Sequence, residues 1–190
     1  MEQSATNSLL DAYAPAQIAM RVREVGVTKA TMPVLTMFAL AILAGAFIAL
    51  GSLFFTITMT TGTTGQPPAF GLMRLAGGLT FSLGLILVVV GGAELFTGNN
   101  LIAMAWASGR VTTQQVMRNW GWVYLGNLVG AVGTAVLVWL AGVHTMSEGA
   151  VGETMVRIAR SKIALDPVSA LARGVLCNVL VCLEIGRAHV

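Results

Sequence analysis

The chain has 190 residues, of which 56% are apolar and only 10% charged, with a formal net charge of +3. A soluble domain carries about 25% charged residues, so this composition excludes an ordinary soluble enzyme or scaffold. The small basic excess lies mostly at the edges of apolar segments. It therefore reads as membrane topology and excludes the folded basic face that nucleic-acid binding requires.

No charged residue occurs from Ala30 to Met73, from Leu75 to Ala93, or from Asn119 to Ser147. About 20 apolar residues suffice for a helix to cross the hydrocarbon layer, so the chain reads as a multi-pass membrane protein. Glu2, Asp11 and Glu24 interrupt the N-terminus, which does not fit a cleavable signal peptide. The first segment, residues 1–34, is expected to be cytoplasmic. Within it Ala16 to Ala30 has the pattern of an amphipathic helix on the membrane surface, with Ile18, Val22 and Val25 on one side and Arg21, Glu24 and Lys29 displaced around it. A disordered tail is the alternative there.

The membrane domain is expected over residues 35–183. Its first span runs from Leu35 to Thr58 and ends in "TMTTGTTGQPP", a turn that cannot continue a helix. The second runs from Leu72 to Ala93. A polar stretch follows, then "LIAMAWASG", a short apolar helix that is too short to cross alone. "SGRVTTQQ" reads as a polar loop, and the third span as Met117 to Ala141. Gly142 to Asp166 carries both signs of charge and reads as a loop with one short helix. Asp166 and Pro167 have the pattern of an N-cap followed by proline at the first helical position, opening a fourth span that continues to Leu183. The distribution of Lys and Arg favours a cytoplasmic N-terminus. Gly77, Gly84 and Gly91 make a smooth stripe on the second span, and Gly126 and Gly130 a GxxxG pair on the third, so close neighbours are expected. Cys177 and Cys182 lie inside the last apolar run and read as small apolar residues, with no disulfide or metal spacing.

"GGAELFTGNN", residues 91–100, places Glu94, Thr97, Asn99 and Asn100 between two apolar stretches. A charge at the membrane centre costs about 2.5–3.5 kcal/mol on insertion scales. Backbone that leaves the helical path at that depth must be covered by protein or line a wet cavity. The spacing fits either a span that ends at Ala93 or a helix interrupted inside the membrane. The short apolar helix that follows favours the interruption, which exposes N–H groups suited to small anions.

"GGAELFTGN", together with "GVLCNVLVCL" at residues 174–183 and "NWGWVYLGNLVGA" at residues 119–131, resembles the signatures of the formate/nitrite transporter family. The resemblance extends from "PAQIAM" to Leu183. It implies an all-α membrane protein, an aquaporin-like helical bundle of six spans with a broken second helix, assembled as a homopentamer with one pore per subunit. About four of those six spans are covered. The tail "EIGRAHV", residues 184–190, departs from the family's apolar continuation and reads as a non-native end.

The resemblance also implies roles. Phe81 and Leu85, four apart on one face, match the apolar pore constriction, although their spacing alone fits packing residues; Leu95 matches the second constriction. Thr97 matches a pore-facing threonine whose histidine partner belongs to the fifth span; neither His144 nor His189 fits that motif. Glu94 takes the acidic position at the break, expected to hold the loop by accepting backbone N–H bonds, with a proton relay as the alternative. Lys162 matches a vestibule lysine and Asn178 a fourth-span asparagine, about 17 Å along its helix. The implied function is a channel or transporter for small monovalent anions in the inner membrane: formate first, nitrite or hydrosulfide next, with an inactive membrane fragment as the reading from another class. No cofactor or metal is expected. Enzyme activity is not expected either, because no nucleophile–base set or paired carboxylates appear.

Overall fold

The structure, a computed structural model, describes the backbone of residues 15–60 and 69–188, and all regular structure among these residues is helical. The first fourteen residues and most of the expected "TMTTGTTGQPP" turn lie outside the described residues. In chain order the helices are α1 (Pro15–Thr31), α2 (Val34–Thr58), α3 (Phe70–Val90), α4 (Phe96–Asn99), α5 (Ile102–Ala107), α6 (Thr113–Leu140), α7 (Ala150–Ile163) and α8 (Pro167–Ala188), with a 3-10 turn at Val143–Thr145.

Among the described residues α2, α3 and α6 are each long and apolar enough to cross a membrane. The last segment meets that measure only as α7 and α8 taken together, across a bend of 108°. Arg173 and Asn178 dilute the apolar character of α8.

The body of the fold is α2 packed between α3 and α6. Missing side chains make these approaches possible. A Cβ added at Gly130 would run into the Ile42 carbonyl oxygen, and one at Gly45 into the backbone of Asn127. Across the other face, a Cβ at Gly51 would lie 2.8 Å from the Phe81 carbonyl oxygen, and one at Gly84 2.9 Å from that of Phe47. Both glycine patterns in the sequence therefore face α2. Close backbone approach is what drives association where lipid offers no hydrophobic contrast.

Several boundaries differ from the expected ones, each for a local reason. The third span begins at Thr113, not Met117, because "TTQQ" is a capping box: Thr112 Oγ1 accepts from the Gln115 N–H, and the Gln115 side chain accepts from the Thr112 N–H. Polar residues that read as loop are thus the first turn of a helix. The stretch from Gly142 to Asp166 is mostly helix, since α7 takes 14 of its residues. Asp166 caps α8 as expected, accepting from the Val168 and Ser169 N–H groups at 3.1 and 3.0 Å. Its hydrogen bonds with Ser169 hold the carboxyl below the usual carboxylate range.

α1 does form, but its buried line is Val22, Gly26 and Ala30, four residues apart, rather than the expected Ile18, Val22 and Val25. That line packs on α5, where a Cβ at Gly26 would meet Ala105 Cβ at 3.0 Å. Lys29 is not displaced outward; its side chain is 14% exposed and reaches into the bundle.

Candidate functional site

The interruption begins where Gly91 and Gly92 end α3. Gly92 takes φ of +59°, the Ala93 N–H donates to the Val88 carbonyl (2.9 Å), and the Gly92 N–H donates to Val89 (3.2 Å). This is the Schellman pattern, and glycine carries its left-handed residue without a Cβ penalty. The chain then leaves the helical path through Ala93–Leu95, with Leu95 extended, makes the single turn α4, and resumes as α5. The Glu94 N–H donates to the Leu40 carbonyl of α2 at 3.2 Å. Leu40 lies six residues into a 25-residue helix, so the break sits about 9 Å along α2 from its N-terminal end.

Among the described residues the Glu94 carboxylate accepts no backbone N–H bond, contrary to expectation. Oε1 accepts from Lys29 Nζ at 2.6 Å and Oε2 from Asn99 Nδ2 at 2.7 Å. Lys29 Nζ also donates to Asn99 Oδ1 at 3.2 Å. Asn99 Nδ2 donates to Asn119 Oδ1 at 2.9 Å, and Asn119 Nδ2 returns to the Lys29 carbonyl at 3.0 Å. Glu94 is 3% exposed, and Asn99 and Asn119 are fully buried. A charge at such depth is tolerated only when paired and hydrogen-bonded, and this ring of four side chains meets both conditions.

The loop-holding role falls to Asn127 instead. Its Oδ1 accepts from the Phe96 N–H at 2.9 Å, while its Nδ2 donates to the carbonyls of Ala41 (2.8 Å) and Glu94 (2.9 Å). One side chain on α6 thus joins α2 to the break. Phe96, at the start of α4, packs edge-on against Tyr124 (5.6 Å) and Trp120 (6.4 Å) of the same helix.

Lys29, Asn99, Asn119 and Asn127 were not among the expected site residues. The available signal was the position of Asn119 and Asn127 within a long apolar helix, where an amide needs a partner.

On the other side of the break, Thr97 and Asn178 line one groove of about 770 Å³, together with α8 residues that include Gly174, Cys177 and Cys182. Among the described residues neither Thr97 Oγ1 nor Asn178 Nδ2 has a hydrogen-bond partner. The Asn178 amide oxygen is engaged, accepting from Cys182 Sγ at 3.0 Å. Two unengaged donor groups therefore share a groove that is otherwise apolar. Leu95 is half-buried, packed on Ala44, Val88 and Ala93. Phe81 is exposed on α3 and Leu85 half-buried one turn further on. Lys162 is exposed near the end of α7. The structure thus brings Thr97 and Asn178 together. Phe81, Leu85, Leu95 and Lys162 do not line their groove.

The sequence profile of the formate/nitrite transporter family matches residues 16–189. The chain belongs to the formate/nitrite transporter family. Formate channel FocA of Escherichia coli strain K12 is 46% identical over 179 residues, covering 94% of this chain and 62% of that protein. Formate channel FocA of Haemophilus influenzae is 43% identical over 152 residues, covering 80% and 52%. A solved pentameric formate channel with formate bound matches with a TM-score of 0.71 at 41% identity, over 80% of this chain and 58% of that one. This member of the formate/nitrite transporter family thus spans less than two thirds of each of these relatives. Its all-helical, aquaporin-like fold is the fold of the family's channels.

Proposed function

We propose that the protein carries small monovalent anions, formate foremost, across the inner membrane as one subunit of a homopentamer and catalyses no chemical reaction. The pairing of unengaged donors at Thr97 and Asn178 in one groove carries this reading. Formic acid, with a carboxylic pKa in the range of about 3–4, is almost wholly anionic at neutral pH. Such an anion crosses only where donors replace its water. Its relatives are named formate channels, and one of them is pentameric with formate bound. Phe81, Leu85 and Leu95 are proposed as the apolar constrictions, and Lys162 as a cationic group that draws anions to the entrance.

Among the described residues the groove is lined by Thr97 and α8 alone, so these residues meet an anion there from one side. Proteoliposomes containing residues 1–190 alone are expected to show no formate uptake. The same chain joined to the part of the Escherichia coli channel beyond the match is expected to conduct formate, with Thr97→Ala reducing uptake. Nitrite is assayed in parallel, and a preference for nitrite would change the assigned anion. Uptake by residues 1–190 equal to that of the completed channel would refute the two-sided path.

The N-terminus is proposed to be cytoplasmic. α1, α5 and the start of α6 meet at one end of the bundle, where Arg118 donates to the carbonyls of Ala30 and Met32. That end carries the cations expected inside. With Cys177 and Cys182 replaced by alanine, Arg110→Cys should react with an impermeant maleimide only after the membrane is opened. Glu148→Cys should react in intact cells. The opposite pattern would invert the topology.

A further inference from the structure

We infer that Cys182 is a positioning residue for anion passage: its thiol fixes the Asn178 amide so that only N–H groups face the groove. The inference rests on the anion-channel reading and deepens it. Cys182 lies one turn beyond Asn178 on α8, half-buried among the lining of the Thr97 groove. Its Sγ donates to Asn178 Oδ1 at 3.0 Å and lies 3.5 Å from the Thr97 carbonyl oxygen. The thiol thus sits between the two residues that carry the unengaged donors, one on α8 and one on the break.

The chemistry follows from the two ends of an amide. A primary amide presents an acceptor oxygen at one end and two N–H donors at the other. An unconstrained Asn178 would turn either end toward the groove. Oxygen facing inward would place a partial negative charge in the path of an anion. The S–H group has one proton to give, and giving it to Oδ1 makes the orientation with Nδ2 toward the groove the lower in energy. Sulfur is a weak donor, so the bias is modest, but a selective path needs only a persistent sign. The Thr97 carbonyl oxygen, 3.5 Å from the same sulfur, sets the thiol beside the backbone of α4 and so beside the break. Cys182 touches no anion in this scheme; it acts through Asn178.

Two readouts separate positioning from packing, both in a Cys177→Ala background that leaves Cys182 as the only thiol of residues 1–190. The first is the infrared S–H stretching band of residues 1–190 in nanodiscs. It should lie below the free-thiol position and move up toward it in Asn178→Ala. The second is uptake by the completed channel of formate relative to formamide, a neutral solute of similar size. Cys182→Ala should lower that ratio about three- to tenfold, the range expected for loss of one neutral hydrogen bond. Cys182→Ser, whose O–H donates in the same way, should restore it.

An S–H band identical in the Asn178→Ala variant overturns the inference. So does a formate-to-formamide ratio that Cys182→Ala leaves unchanged, or one that serine fails to restore. Should the completed channel pass no formate at all, the anion-channel reading falls, and the band shift still decides whether the thiol holds the amide.

Discussion

Replacing Lys29 by methionine is expected to destabilise the protein by about 3–5 kcal/mol, the cost of leaving one member of a buried ion pair without its partner. Glu94 is 4% exposed at its side chain, with Lys29 Nζ at 2.6 Å. Without the ammonium, Oε1 keeps no cation, while Asn99 Nδ2 still serves Oε2. The carboxylate then remains in a low-dielectric site with half its partners. Changing both residues, Lys29→Met with Glu94→Met, removes the stranded charge and should recover much of the loss. The readout is thermal unfolding of detergent-solubilised protein followed by size-exclusion chromatography. Equal destabilisation by the single and double variants would show that the charge pairing is immaterial.

Asn127→Ala should have the second largest effect, and it should be local to the break. The amide serves three backbone groups at once: the N–H of Phe96 and the carbonyls of Ala41 and Glu94. The Phe96 N–H belongs to the first residue of α4, whose leading N–H groups have no partner within the helix. Leaving a part-buried donor of this kind unmet costs toward the lower end of about 1–3 kcal/mol. Hydrogen–deuterium exchange at residues 93–99 should rise sharply, and formate uptake by the completed channel should fall with it. Asn127→Asp keeps the acceptor for Phe96 but loses both donors, so an intermediate effect is expected. Exchange at 93–99 that is unaltered in the alanine variant would show that the break is held by other contacts.

These two predictions turn on Lys29 and Asn127, which reading along the chain did not place at the break, and the reason is physical. Spans, the break and the short helix after it were legible because each is a local property. Long apolar runs mark α2, α3 and α6, the polar stretch after Ala93 marks the break, and Asp-Pro marks the start of α8; the stop of α3 at Val90, three residues before the expected Ala93, was not legible. The partners of the break are not local. Lys29 and Glu94 are 65 positions apart, and Asn119 and the Lys29 carbonyl are 90 apart. Periodicity carries no term for such distances. Lys29 read as part of an amphipathic surface because its helix ends beside the bundle, and only the folded contact turns its side chain inward. The role given to Glu94 failed for the same reason: its need for partners was visible, but their identity was not. Thr97 and Asn178 came from the resemblance to the family, and the groove then placed them together.

The dependence of the break on α6 orders the birth of the molecule. Chains grow at about 5–20 residues per second, and Asn127 follows Glu94 by 33 positions. For roughly 2–7 s at that rate, α1, α2 and α3 exist while the segment that will satisfy the interruption does not. Its amides and the Lys29–Glu94 pair must spend that interval in water or in the insertion machinery, because lipid offers them nothing. The first three helices are thus a provisional assembly, and α6 is the element that commits them.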